Sequence, residues 1–139
     1  MLQKGFTLVE LMIVVAIIVI LAGWGYPQYL EHTAAAKIIE AHGALEGYRS
    51  SMEKYFMDNR TYVSAGTTCG VVAGDSSTTN FTVTCVGAAE TYTATATAKN
   101  NVGLPAIAFQ INQTGAKSTS ISNAETCATG WAKKRSGTC

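Results

Sequence analysis

Hydrophobic positions fall into three regimes along this chain. From Phe6 to Leu30 the sequence reads FTLVELMIVVAIIVILAGWGYPQYL, with Glu10 as its only charged residue. At about 1.5 Å per residue, a helix of this length crosses a bilayer. Lys4 stands just before it, on the side the positive-inside rule keeps cytoplasmic, so the remainder would face outward. After Pro27 the pattern becomes periodic. Ile38, Leu45, Tyr48, Met52, Tyr55 and Phe56 recur at helical intervals, with Glu46, Arg49, Glu53 and Lys54 between them. This predicts a helix continuing to about Asp58, stopped by Asn59, whose apolar stripe docks on a sheet.

Beyond Thr61 the chain turns to Gly, Ser, Thr and Ala with period-two alternation. Phe81 to Val86 reads as one strand. In Thr91 to Ala98 the threonines Thr91, Thr93, Thr95 and Thr97 face one way, and Tyr92, Ala94, Ala96 and Ala98 the other. The small alanine face lets a helix approach closely and is expected against the Ile38 to Phe56 stripe. Ala106 to Thr114 gives a third strand with Ile107, Phe109 and Ile111 on one face, and Gly115 permits the turn into a fourth near Lys117 to Ile121. The expected class is α+β: a long N-terminal helix, half transmembrane and half amphipathic, packed on a roughly four-stranded antiparallel sheet.

The 139 residues suit one modest domain besides the apolar segment. The sequence divides into a leader over 1–5, a membrane-type helix over 6–30, and an amphipathic continuation with a globular head over 31–139. Basic residues number 10 against 9 acidic ones, and loss of Lys4 with the leader balances them, so net charge favours neither nucleic acid nor acidic ligands. Cys69, Cys85, Cys127 and Cys139 all follow the apolar run, as in a part that folds in an oxidising compartment. More than one connectivity is open to them, and loop economy favours Cys69 with Cys85 and Cys127 with Cys139.

No enzyme and no cofactor is indicated. His32 and His42 lack the one-face spacing of a helical zinc pair, the aspartates Asp58 and Asp75 are too few for a calcium loop, and the cysteines lack paired C-x-x-C spacing. There is neither a nucleophile motif nor a Gly-rich phosphate loop.

The apolar run by itself admits a secretory signal peptide, with Leu21-Ala22-Gly23 as a small-residue cleavage site, or a plain membrane anchor. Glu10 argues against both, since an ionisable group in such a segment is costly and usually functional. A lipoprotein signal would need Cys where Trp24 stands. The stretch Lys4-Gly5-Phe6-Thr7-Leu8-Val9-Glu10-Leu11-Met12 resembles the prepilin signature of type IV pilins: a very short leader ending in Gly, then Phe, then a carboxylate in an apolar run. Met52 to Tyr62 is similar to the helix exit of small pilins, PilE-type minor pilins above all.

The resemblance implies cleavage between Gly5 and Phe6 by a prepilin peptidase and N-methylation of Phe6. It implies inner-membrane residence before assembly, passage through inner-membrane pilus assembly machinery, and an extracellular pilus of other pilin subunits afterwards. Glu10 lies about one turn from the new amine. Pairing with that amine relieves the cost of a charge in lipid, the partner being a neighbouring subunit's amine in the family or this chain's own Phe6. Gly23, Gly25 and Pro27 should kink or melt the helix, and the resemblance favours partial melting in the assembled filament.

The tail from Cys127 to Cys139 resembles the disulfide-bounded C-terminal region of pilins, and a bridge there tethers the terminus. Its basic run beside an aromatic, Trp131, Lys133, Lys134 and Arg135, could engage DNA phosphates and stack on a base, or be a solvated face. The expected function is that of a pilus structural subunit supporting adhesion to a host surface, twitching motility or DNA uptake. The alternatives are a pseudopilin of a type II secretion system and a DNA-binding minor pilin.

Overall fold

A computed structural model describes residues 6–122 and 126–134. Helix α1 (Leu8–Asn59) is followed by a short hairpin, β1 (Val63–Ala65) and β2 (Thr68–Cys69), a 3-10 turn (Ala73–Ser76), and the strands β3 (Phe81–Gly87), β4 (Tyr92–Ala98), β5 (Ile107–Asn112) and β6 (Lys117–Ile121). The chain divides into two compact units, one ending at Thr33 and the other beginning at Ala34.

In the first unit α1 is helical throughout, including Gly23, Gly25 and Pro27. Its large apolar side chains, among them Leu11, Ile13, Val15, Ile18 and Leu21, are exposed. By length and composition this helix can cross a membrane.

The second unit is one four-stranded antiparallel meander in the order β3-β4-β5-β6 with the rest of α1 packed on it. The register pairs Val83 with Ala96 and Ala96 with Phe109, so β3, β4 and β5 turn the same face to the helix. Ala94 and Ala96 are fully buried with Ile38, Ala41, Leu45, Tyr48 and Met52 of α1, as the alanine alternation predicts. Tyr55 and Phe56 are half-buried at the stripe's end, where Phe56 stacks on Tyr62 at 4.4 Å. Ala34 and Ala41 also face inward; their small size hid them from the apolar pattern.

Asn59 is the last helical residue rather than the stop. Its Nδ2 donates to Tyr55 O at 3.0 Å, while Arg60 takes the left-handed conformation, φ 58°, and donates its N–H to Phe56 O at 2.8 Å. A cationic residue beside the final carbonyls suits the helix dipole.

The β1–β2 hairpin has no counterpart in the sequence expectation. Cys69 is bonded to Cys85 on β3, with Cα atoms 6.0 Å apart, which ties the hairpin to the sheet. Gly70 follows because a Cβ there would overlap the Tyr55 ring. Tyr48 Oη adds a bond to Val71 O at 2.8 Å, so the connection between helix and sheet is held from both sides.

Candidate functional site

Two places concentrate the candidate functional residues: the first turn of α1 and the C-terminal segment against β6. Helix α1 opens with a reciprocal cap. Glu10 N donates to Thr7 Oγ1 at 3.2 Å, and Thr7 N and Oγ1 both approach Glu10 Oε2 at 3.4 Å. Thr7-Leu8-Val9-Glu10 is thus a capping box, whose T-x-x-E signal is written in the sequence beneath the assembly signature. The cap fixes where the carboxylate sits, over the free N–H groups at the positive end of the helix. Phe6 precedes it, 87 % exposed. Gly5 lies outside the described residues. The geometry therefore brings Glu10 to the helix end at which cleavage would create an amine.

At the other site, chain past residue 126 adds itself to the edge of the sheet. Thr119 and Cys127 exchange both backbone bonds, at 2.9 and 3.0 Å, and Gly130 N donates to Lys117 O at 2.7 Å. The buried Thr119 hydroxyl donates to Gly130 O at 3.3 Å and accepts from Ala132 N at 3.0 Å. This covers the edge of β6 at Lys117 and Thr119 and brings Ala132 fully inside. Cys127 is disulfide-bonded. Cys139, and with it the expected second bridge, lies outside the described residues, as does Arg135.

Trp131 is set by three contacts. Its Nε1 donates to Gln110 O at 2.8 Å, its ring stacks on His42 at 4.5 Å with 22° between planes, and Lys117 Nζ stands 4.3 Å from the ring centroid. Lys117 also pairs with Glu46 of α1. His42 in turn meets Phe109 edge to face at 4.8 Å. Burial, then the nearby Lys117 charge, pushes the His42 imidazole down to about 4, with Glu46 acting weakly the other way. His42 is therefore a neutral packing histidine at ordinary pH. The indole expected to face a ligand is half-buried within the head, whereas Lys133 and Lys134 are exposed and, among the described residues, form no ion pair.

The family model of the type IV minor pilin ComP, DNA uptake sequence receptor, matches residues 27–129, and that of the prokaryotic N-terminal methylation motif matches residues 1–26. Among curated proteins the chain is 44 % identical over 72 residues to a fimbrial protein of Neisseria meningitidis serogroup A, covering 52 % of this chain and 42 % of that one. It is 43 % identical over 75 residues to the type IV major pilin PilE of Neisseria gonorrhoeae, covering 54 % and 45 %. A fimbrial protein of Pseudomonas aeruginosa is 43 % identical over 65 residues, covering 47 % and 42 %. The chain spans less than half the length of each of these relatives. No solved structure matches it.

Proposed function

Since the chain belongs to the type IV minor pilin ComP family, we propose that it is a non-catalytic subunit of a type IV pilus, polymerised through the N-terminal part of α1. The observation that carries this reading is the pairing of an exposed apolar helix with a carboxylate fixed in its first turn. Prepilin peptidase cuts between Gly5 and Phe6, and Phe6 is methylated, in keeping with the matched methylation motif. Before assembly the helix anchors the protein in the inner membrane. The assembly machinery then moves it into an extracellular filament, where neighbouring pilin subunits replace lipid around it.

Two charges in an apolar surrounding are stable together and costly apart. The new amine supplies the countercharge to Glu10, in trans from the next subunit, and each subunit takes its axial position from that pair. Gly23, Gly25 and Pro27 give the helix a weak stretch that unravels in the filament, where Pro27 withholds one amide bond.

The family description and the exposed Lys133 and Lys134 together favour duplex DNA as a ligand of the head. The pseudopilin alternative shares the N-terminal signature, but the disulfide-tied head and the lack of an acidic calcium loop in the sequence weigh against it.

Glu10→Ala and Glu10→Gln test assembly. Both variants should be processed and membrane-resident yet nearly absent from sheared filaments. Normal incorporation of either would overturn the trans pairing.

A further inference from the structure

The tail offers a basic pair and an aromatic side by side, and the two have different situations. Lys133 and Lys134 are free to meet solvent, while Trp131 is held at its edge by Gln110 and over its ring by His42 and Lys117. Three elements therefore converge on one side chain: α1 through His42, β5 through the Gln110 carbonyl, and β6 through Lys117. The backbone on each side of the indole is also tied down, by Gly130 N on Lys117 O and Ala132 N on the Thr119 hydroxyl. An indole that stacked on a nucleic-acid base would have to give up Lys117 over its ring, or else leave His42 and its bond to Gln110, with an unsatisfied carbonyl and an emptied slot behind it.

We propose that Trp131 is a positioning residue, a latch seated on His42 that fixes the backbone carrying Lys133 and Lys134, and that the lysines, not the indole, meet the ligand. The proposal rests on the reading of duplex DNA as that ligand, and it deepens that reading by separating the contact from its support. The latch makes residues 131–134 a rigid presenter of two charges. Ordering cost that a loose basic tail would meet at binding is already met on folding. Because a single ring stack is a small fraction of the head's packing, loss of the seat should loosen residues 131–134 several-fold without unfolding the head.

The test uses the full chain in detergent micelles with Trp24→Phe as background, which leaves Trp131 the sole indole. Two readouts are taken for His42→Ala, His42→Phe and Trp131→Phe: the rate of tryptic cleavage after Lys133 and Lys134, and affinity for a short mixed-sequence DNA duplex at low salt. In the background protein Trp131 emission should not change when duplex is added. His42→Ala should speed cleavage and weaken duplex binding, each by up to about tenfold, and His42→Phe, which keeps a ring beneath the indole, should restore both. Trp131→Phe retains the stack and loses the Gln110 bond, so it should fall between.

Emission quenched by duplex, or cleavage as slow in His42→Ala as in the background protein, would overturn the latch. If the background protein binds no duplex at all, the DNA reading falls, and the cleavage rates decide the latch by themselves. Should His42→Ala fail to fold, the Phe variants at both positions carry the comparison.

Discussion

Glu40 of α1 and Asn80, at the foot of β3, are joined twice: Oε2 accepts from Asn80 Nδ2 at 2.6 Å and Oε1 from Asn80 N at 3.3 Å. The pair fastens the end of the long connection to the helix it left, in the turn where Lys99 Nζ donates to Thr78 O at 2.6 Å. The Thr78 hydroxyl, helped by lesser contributions from Asn80 and the Thr79 backbone, holds the Glu40 carboxyl below its ordinary value, against burial, the second-largest effect, which acts the other way.

Glu40→Ala should therefore cost about 1 kcal/mol, the net worth of a hydrogen-bonded group at a partly exposed site. A lowered folded pKa means that the unfolded chain takes the proton first. The stabilisation is present above the unfolded value of 4.5 and is lost as pH falls through the folded one. Urea unfolding at neutral pH and at pH 3 checks this: the difference between wild type and Glu40→Ala should shrink in acid.

Gly70→Ala should lower stability by about 1–3 kcal/mol, since the added methyl meets the Tyr55 ring and one of them must shift. The comparison that identifies the cause is the double variant with Tyr55→Ala, in which the Gly70→Ala penalty should largely vanish. Thermal melts of the four proteins in the cycle suffice.

His42 gives the head a weakness in acid. Its value is 6.5 in the unfolded chain and about 4 in the folded one, so the contribution of the neutral, packed imidazole is complete above 6.5 and declines as pH falls toward 4. Lys117 opposes the incoming proton and Glu46 weakly favours it. The near-UV circular dichroism of Trp131 should be constant at neutral pH and lost through about pH 4, whereas His42→Phe should keep it to lower pH.

Much of this was legible in the sequence, and the reason differs from one element to the next. The alternation of Tyr92, Ala94 and Ala96 with Thr93 and Thr95 states a strand and its buried face, and the register confirms it. The stripe from Ile38 to Met52 likewise states a helix and its contact side. Cys69 with Cys85 followed from loop economy. The β1–β2 hairpin was not legible, because its strands are too short for a period to appear. Nor was the state of Trp131. Beside Lys133 and Lys134 it reads locally as a platform for a ligand, yet its neighbours His42 and Gln110 are distant in sequence and only the fold brings them to it. The capping box at Thr7 and Glu10 was written in the sequence and is overshadowed there by the assembly signature that shares its glutamate.

The central claim is that this chain is cut at Gly5 and built into a filament through the helix that follows. Mass spectrometry of filaments sheared from the cell surface tests it most directly. The account predicts an N-terminal peptide that begins at Phe6 and carries one added methyl group, recovered with other pilins in the same fraction. A chain that still carries Met1 to Gly5, that begins beyond Leu21-Ala22-Gly23, or that stays in the membrane fraction while filaments form without it would contradict the account.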